Sequence, residues 1–95
     1  MSYKLEFHPD ALKEWGKLTK SIKEQFKKIL SRRLENPHVP MAILHGELKF
    51  CYKIKLRQSG YRLVYQVIQN QLVVYVIAVG KRENNLVYDV AKKRR

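Results

Sequence analysis

Apolar and polar positions alternate with period two in three stretches of the chain and recur at helical spacing in three others. Tyr3, Leu5 and Phe7 share one phase, with Lys4, Glu6 and His8 in the other, which is the pattern of a half-buried strand. Pro9-Asp10 closes that strand. Ala11, Leu12, Trp15 and Leu18 then follow a helical stripe, and Thr19-Lys20 interrupt it. Ser21-Ile22-Lys23-Glu24 fits a capping box, opening a second helix that presents Ile22, Phe26, Ile29, Leu30 and Leu34 and stops near Asn36-Pro37. Residues 37–48 read as a loop, with Pro37, Pro40 and Gly46 shaping it and Val39, Met41, Ile43 and Leu44 pinning it to the core.

The sharpest pattern lies in residues 49–67. Lys53, Lys55 and Arg57 alternate with Tyr52, Ile54 and Leu56, and after a turn Tyr61, Leu63, Tyr65 and Val67 form an all-apolar set. Burying both sets on one side of a hairpin places Leu56 opposite Tyr61 and Lys55 opposite Arg62. Arg57-Gln58-Ser59-Gly60 is then a four-residue loop, with Gly60 supplying a positive φ. The opposite, open face carries Lys53, Lys55, Arg57 and Arg62. Leu72 to Val79 is apolar at nearly every position, so its strand is covered on both faces and its register stays open. Leu86, Val87, Val90 and Ala91 predict a short docked helix, and Lys92-Lys93-Arg94-Arg95 a fraying tail. The order predicts a single α+β domain over residues 1–95. Its sheet has about four mainly antiparallel strands, with helices on one face and the cationic cluster on the other.

Charge sharpens this picture. The net charge of +12 is concentrated, because no acidic residue lies between Glu47 and Glu83 while Lys49, Lys53, Lys55, Arg57, Arg62, Lys81 and Arg82 do. Such a field suits nucleic acid, and the absence of a long apolar helix beside it argues against a membrane surface. Lys17, Lys20, Lys23, Lys27, Lys28, Arg32 and Arg33 form chiefly a solvated helical face, on which Lys20, Lys23 and Lys27 are the candidates for contact with nucleic acid, together with Arg57 and Lys81. Met1-Ser2-Tyr3-Lys4 leads straight into a strand, so neither a signal peptide nor a membrane segment is expected and the cytosol is the expected compartment.

Most standard chemistry is missing. Cys51 is alone, which rules out an internal disulfide, and it reads as a small buried filler. His8, His38 and His45 stand apart without metal-ligand spacing, so no metal or other cofactor is expected, and Glu83 beside Arg82 reads as a solvated carboxylate. Cleavage of RNA needs none of these, because the 2′-hydroxyl can attack the adjacent phosphorus. It needs cations for the phosphorane oxygens, an acceptor for the 2′-hydroxyl proton and a donor for the 5′ leaving oxygen. A tyrosine such as Tyr88 qualifies as the acceptor only beside the Lys53, Lys55 and Arg62 cluster, whose charge favours the phenolate.

These residues also carry a resemblance. Cys51-Tyr-Lys-Ile-Lys-Leu-Arg-Gln-Ser-Gly-Tyr-Arg62, continued to Ile68, then Val76-Ile-Ala-Val-Gly-Lys-Arg-Glu83 with Tyr88 five residues on, and Ala11-Leu-Lys-Glu-Trp15, resemble the RelE toxins of the RelE/ParE superfamily. The resemblance covers nearly the whole chain. It implies a toxin of a toxin–antitoxin pair that enters the 70S ribosome and cuts A-site mRNA, leaving a 2′,3′-cyclic phosphate and a 5′-hydroxyl. It also implies a RelB-type antitoxin partner and, through that complex, binding to operator DNA. The family's active positions fall on Lys53, Lys55, Arg62, Arg82 and Tyr88. The resemblance implies that Tyr88 lies near the 2′-hydroxyl, Lys53, Lys55 and Arg62 at the phosphate, and Arg82 near the leaving group. A guanidinium rarely gives up a proton, so Lys53 or Lys55 is the better acid.

Two other readings stay open from sequence. A ParE-type gyrase inhibitor would share the fold and charge without the Lys/Arg/Tyr set. A non-catalytic RNA-binding module would expose aromatics for stacking, whereas Tyr52, Tyr61, Tyr65 and Tyr75 mostly fall in the apolar phase.

Overall fold

The computed structural model describes residues 2–81 and 86–95. Strand β1 (Lys4–Phe7) leads into helices α1 (Pro9–Gly16) and α2 (Lys20–Glu35). After two short 3₁₀ turns come β2 (Cys51–Lys55), β3 (Tyr61–Ile68), β4 (Val73–Lys81) and helix α3 (Leu86–Arg94). The four strands form one sheet in the order β1-β4-β3-β2, with β1 parallel to β4 and the other pairs antiparallel. The expected α+β domain with a mainly antiparallel four-stranded sheet is the fold observed.

Local chemistry explains the helix ends. His8 caps α1, its Nδ1 accepting from the Asp10 amide at 3.1 Å, and Pro9 fits the first turn, where no amide donor is needed. Thr19 caps α2, accepting from the Ile22 amide at 3.3 Å. The helix therefore starts before the expected Ser21 box, and Ser21 sits inside it, accepting from the Gln25 side chain. A threonine one residue outside the first helical position competes directly for the orphan amides, and here it prevails.

One sheet face packs against α1 and α2. Ala11, Leu18, Phe26 and Leu30 meet Tyr52, Ile54, Leu56, Leu63, Tyr65, Val67, Val74, Val76 and Val79 in the main core. The tyrosines belong to it: Tyr52 and Tyr65 stack at 5.5 Å between centroids, and the Tyr65 hydroxyl donates to the Pro37 carbonyl at 2.7 Å. Among the expected loop anchors Val39, Ile43 and Leu44 pack against the cores and Met41 fails, being 95% exposed; Pro37, Ala42 and Leu48 are the loop's buried residues.

The other face is not bare, which corrects the expectation that every helix packs on one side. Val87 and Ala91 of α3 bury against Leu48, Cys51, Val64, Ile77 and Ala78. Cys51 is fully buried there, and burial pushes its thiol pKa up, as suits a structural filler. A bulge makes this second core. Val64 pairs with Ala78 while Tyr65 pairs with Val76, so Ile77 is the extra residue and both Ile77 and Ala78 turn toward α3.

The end of α3 is tied down rather than frayed. Beyond Val76 the outer edge of β4 lacks a partner strand, because β1 ends at Phe7. Glu14 of α1 accepts from the Val79 amide at 3.0 Å, Arg94 donates to the Ile77 carbonyl at 3.0 Å, and the two side chains join through a bidentate pair at 2.8 and 2.9 Å. Together they satisfy the backbone groups a fifth strand would have taken. Arg95 donates in turn to the Glu47 carbonyl.

Candidate active site

The hairpin register puts two cations side by side. Lys55 pairs with Arg62, Leu56 donates its amide to the Tyr61 carbonyl, and Gly60 closes the four-residue loop at φ 78°, all as the alternation predicts. Lys53 follows two residues before Lys55 on the same side. These three form the floor of a pocket of about 270 Å³. Its walls are Leu44, His45 and Leu48 from the loop before β2 and Tyr88 from α3. Leu48 and Tyr88 both belong to the second core, so the packing that seats α3 on the sheet also brings the phenol to the cations.

Arg62 carries the electrostatic argument. It is only 8% exposed, yet among the described residues it pairs with no carboxylate. Its Nη1 donates weakly to the Tyr61 carbonyl at 3.4 Å, and its Nε is buried without a partner. A buried guanidinium with an unused donor, placed beside Lys55, is costly for the fold on its own. An anion entering the pocket supplies countercharge to the Arg62 guanidinium and to Lys55. The sequence places Arg62 on an open face, but α3 and the loop before β2 cover that face and leave only the pocket.

Among the ten expected site residues, Lys53, Lys55, Arg62 and Tyr88 come together here. Arg57 lies in the hairpin loop and lines an adjoining depression of about 300 Å³ with Arg33, Met41, Lys53 and Lys55. Lys81 pairs with Tyr61 and lays its ammonium over that ring at 5.6 Å, in the phase of the α1 and α2 face. Lys20, Lys23 and Lys27 lie on α2, on the far side of the sheet from the pocket. Arg82 and Glu83 fall outside the described residues. No group of three or more potential metal ligands occurs among the described residues, and no described helix is long and apolar enough to cross a membrane.

His45 is the pocket residue that sequence reasoning missed. The other two histidines have structural duties: His8 caps α1, and His38 bonds the Tyr52 hydroxyl at 3.0 Å and Gln69 at 2.8 Å. His45 precedes the turn at Gly46 (φ 64°) without capping it through its side chain. The signal lay in Leu44 and Leu48, which flank that turn and hold it against the pocket, rather than in any spacing to another ligand.

A small sheet with helices on both faces and a cationic pocket beside its C-terminal helix defines a class of compact α+β domains with a basic site on the sheet. Residues 5–86 match the family model described as the ParE toxin of the type II toxin–antitoxin system parDE. A RelE-like toxin protein of Escherichia coli is 57% identical over 94 residues, covering 99% of this chain and 98% of its own length. The mRNA interferase toxin RelE of Escherichia coli K12 is 55% identical with the same coverage. Among solved structures, free E. coli RelE carrying two arginine-to-alanine substitutions superposes with a TM-score of 0.90 at 54% identity, covering 99% of this chain and 98% of that one. RelE in the intact E. coli RelBE toxin–antitoxin complex gives 0.83 at 55% identity, covering 86% and 99%. The chain belongs to the RelE/ParE superfamily of type II toxins, and within it to the RelE toxins. The assignment to the RelE toxins rests on the identity above one half over nearly the full length of both chains.

Proposed function

We propose that this chain is a ribosome-dependent endoribonuclease that cuts mRNA in the ribosomal A site and so halts translation. The observation that carries the reading is the convergence of Lys53, Lys55, Arg62 and Tyr88 on one pocket around a buried guanidinium that has no carboxylate partner among the described residues. In this reading the scissile phosphate sits over Lys53, Lys55 and Arg62, whose charges stabilise the phosphorane as it forms. Tyr88, at the pocket wall, takes the proton of the 2′-hydroxyl. The attack forms the O2′–P bond and breaks the P–O5′ bond, giving a 2′,3′-cyclic phosphate and a 5′-hydroxyl without a metal. Arg57 and the adjoining depression hold RNA next to the cut, while Lys81, Lys20, Lys23 and Lys27 meet ribosomal RNA from the other side of the domain.

A RelB-type antitoxin is the proposed partner, since the solved relatives include a RelBE complex; the pair would bind operator DNA and repress its own synthesis. The ParE-type reading is weaker, because Lys53, Lys55, Arg62 and Tyr88 line one pocket. The RNA-binding module is weaker still, because Tyr52 and Tyr65 are buried in the core.

The site holds three cations but little to align a flexible message, so much of the rate must come from substrate positioning on the ribosome. A defined message added to a purified translation system should be cut, and the same message without ribosomes should stay nearly intact. Equal cutting of naked RNA at matched protein concentration would refute the ribosome dependence.

A further inference from the structure

We propose that the depression beside the candidate active site is a phosphate subsite, in which Arg33 anchors the RNA backbone phosphate next to the one that is cut. The proposal rests on the nuclease reading above and adds to it a substrate-binding residue from α2, whose cations the sequence assigns chiefly to a solvated face. Arg33, Lys53, Lys55 and Arg57 line this depression of about 300 Å³, and no carboxylate lines it among the described residues. Like charges held this close repel one another until an anion enters. Lys53 and Lys55 also line the pocket of Arg62 and Tyr88. The two hollows therefore meet along these lysines, and a nucleic-acid strand crossing them sets one phosphate in each.

Arg33 is held in place before any ligand arrives. It stands half-buried in the last turn of α2, its Nη1 donating to the Lys53 carbonyl at 3.3 Å and to the Tyr65 hydroxyl at 2.9 Å. That hydroxyl donates in turn to the Pro37 carbonyl at 2.7 Å, and the guanidinium carbon lies 5.8 Å from the centroid of the Tyr65 ring. Tyr65 is fully buried, so the anchor itself is fixed by the core. A long side chain pinned in this way has already lost most of its rotamer freedom, and gripping a phosphate costs it little more. Both hydrogen bonds use Nη1, and no carboxylate pairs with Arg33 among the described residues. The rest of the planar fork is left for phosphate oxygens.

The test titrates the protein against programmed ribosomes whose message is either normal or carries one neutral methylphosphonate, at the linkage just before or just after the cut. Wild type should need about tenfold more protein to half-saturate cleavage of one of the two modified messages, the loss of one charged hydrogen-bonded contact. Arg33→Gln should need about tenfold more on the normal message, yet lose only about threefold or less on that same neutral linkage, with a saturated cleavage rate close to wild type. The ribosome's own response to the linkage is common to both proteins and cancels. Arg57→Gln, a change in the exposed hairpin loop, should show the same reduced sensitivity, and it carries the test if Arg33→Gln does not fold. An Arg33 that merely braces Lys53 would instead lower the saturated rate and keep the full wild-type sensitivity to the neutral linkage. That result, or a wild type indifferent to both linkages, overturns the subsite while leaving the nuclease reading intact. If wild-type protein fails to cut the normal message, the nuclease reading fails and the subsite falls with it.

Discussion

Arg62→Ala should lose at least two to three orders of magnitude in single-turnover cleavage and should no longer arrest growth, while the protein stays folded. Removing one preorganised donor from a developing oxyanion typically costs about a hundred- to a thousandfold, and Arg62 also supplies a full charge. The stability side follows from the same geometry. The guanidinium is buried, beside Lys55, with its Nε unsatisfied, so truncation relieves desolvation and like-charge repulsion as it removes stem packing. The variant should therefore unfold within about 1 kcal/mol of wild type, on either side, in a urea titration. A variant that is grossly unfolded, or one that still arrests growth, would remove Arg62 from the centre of the mechanism.

Tyr88→Phe should lower the cleavage rate by about a hundred- to ten-thousandfold with ribosome affinity nearly unchanged. The substitution deletes a single hydroxyl and keeps the ring that packs against the second core, so α3 stays seated. Comparing the single-turnover rate with the binding constant for programmed ribosomes separates the two effects. Normal cleavage by the Phe variant would reduce Tyr88 to a packing residue and pass the acceptor role to another group in the pocket.

The parts of this site that were legible in the sequence are those built from strict alternation. Lys53, Lys55 and Arg62 could be placed together because Tyr52, Ile54, Leu56, Tyr61, Leu63 and Tyr65 leave only one register that buries all six, and Gly60 fits the turn that register needs. Strand β4 offered no such handle. With both faces apolar, neither its phase nor the bulge at Ile77 could be read, and that bulge is what turns Ile77 and Ala78 toward α3. Hence the second core, the burial of Arg62 and the side on which Lys81 stands were all hidden. Arg94 looked like part of a solvated basic tail because its partner, Glu14, lies 80 residues away. His45 looked isolated for the same reason: its neighbours come from β2, β3 and α3, and no local spacing announces them. Tyr88 was placed by family resemblance and by a chemical condition, that a tyrosine works as an acceptor only beside the cations. The pocket meets that condition.

The central claim is tested most directly by the ends of the RNA fragments made on ribosomes stalled at a known codon. The account predicts one cut inside the A-site codon. The upstream piece should end in a 2′,3′-cyclic phosphate and the downstream piece should begin with a 5′-hydroxyl, and both should form at least about a hundredfold more slowly with Arg62→Ala. Intact message accompanied by broken or gyrase-trapped DNA, or fragments ending in a 3′-hydroxyl and 5′-phosphate, would contradict it.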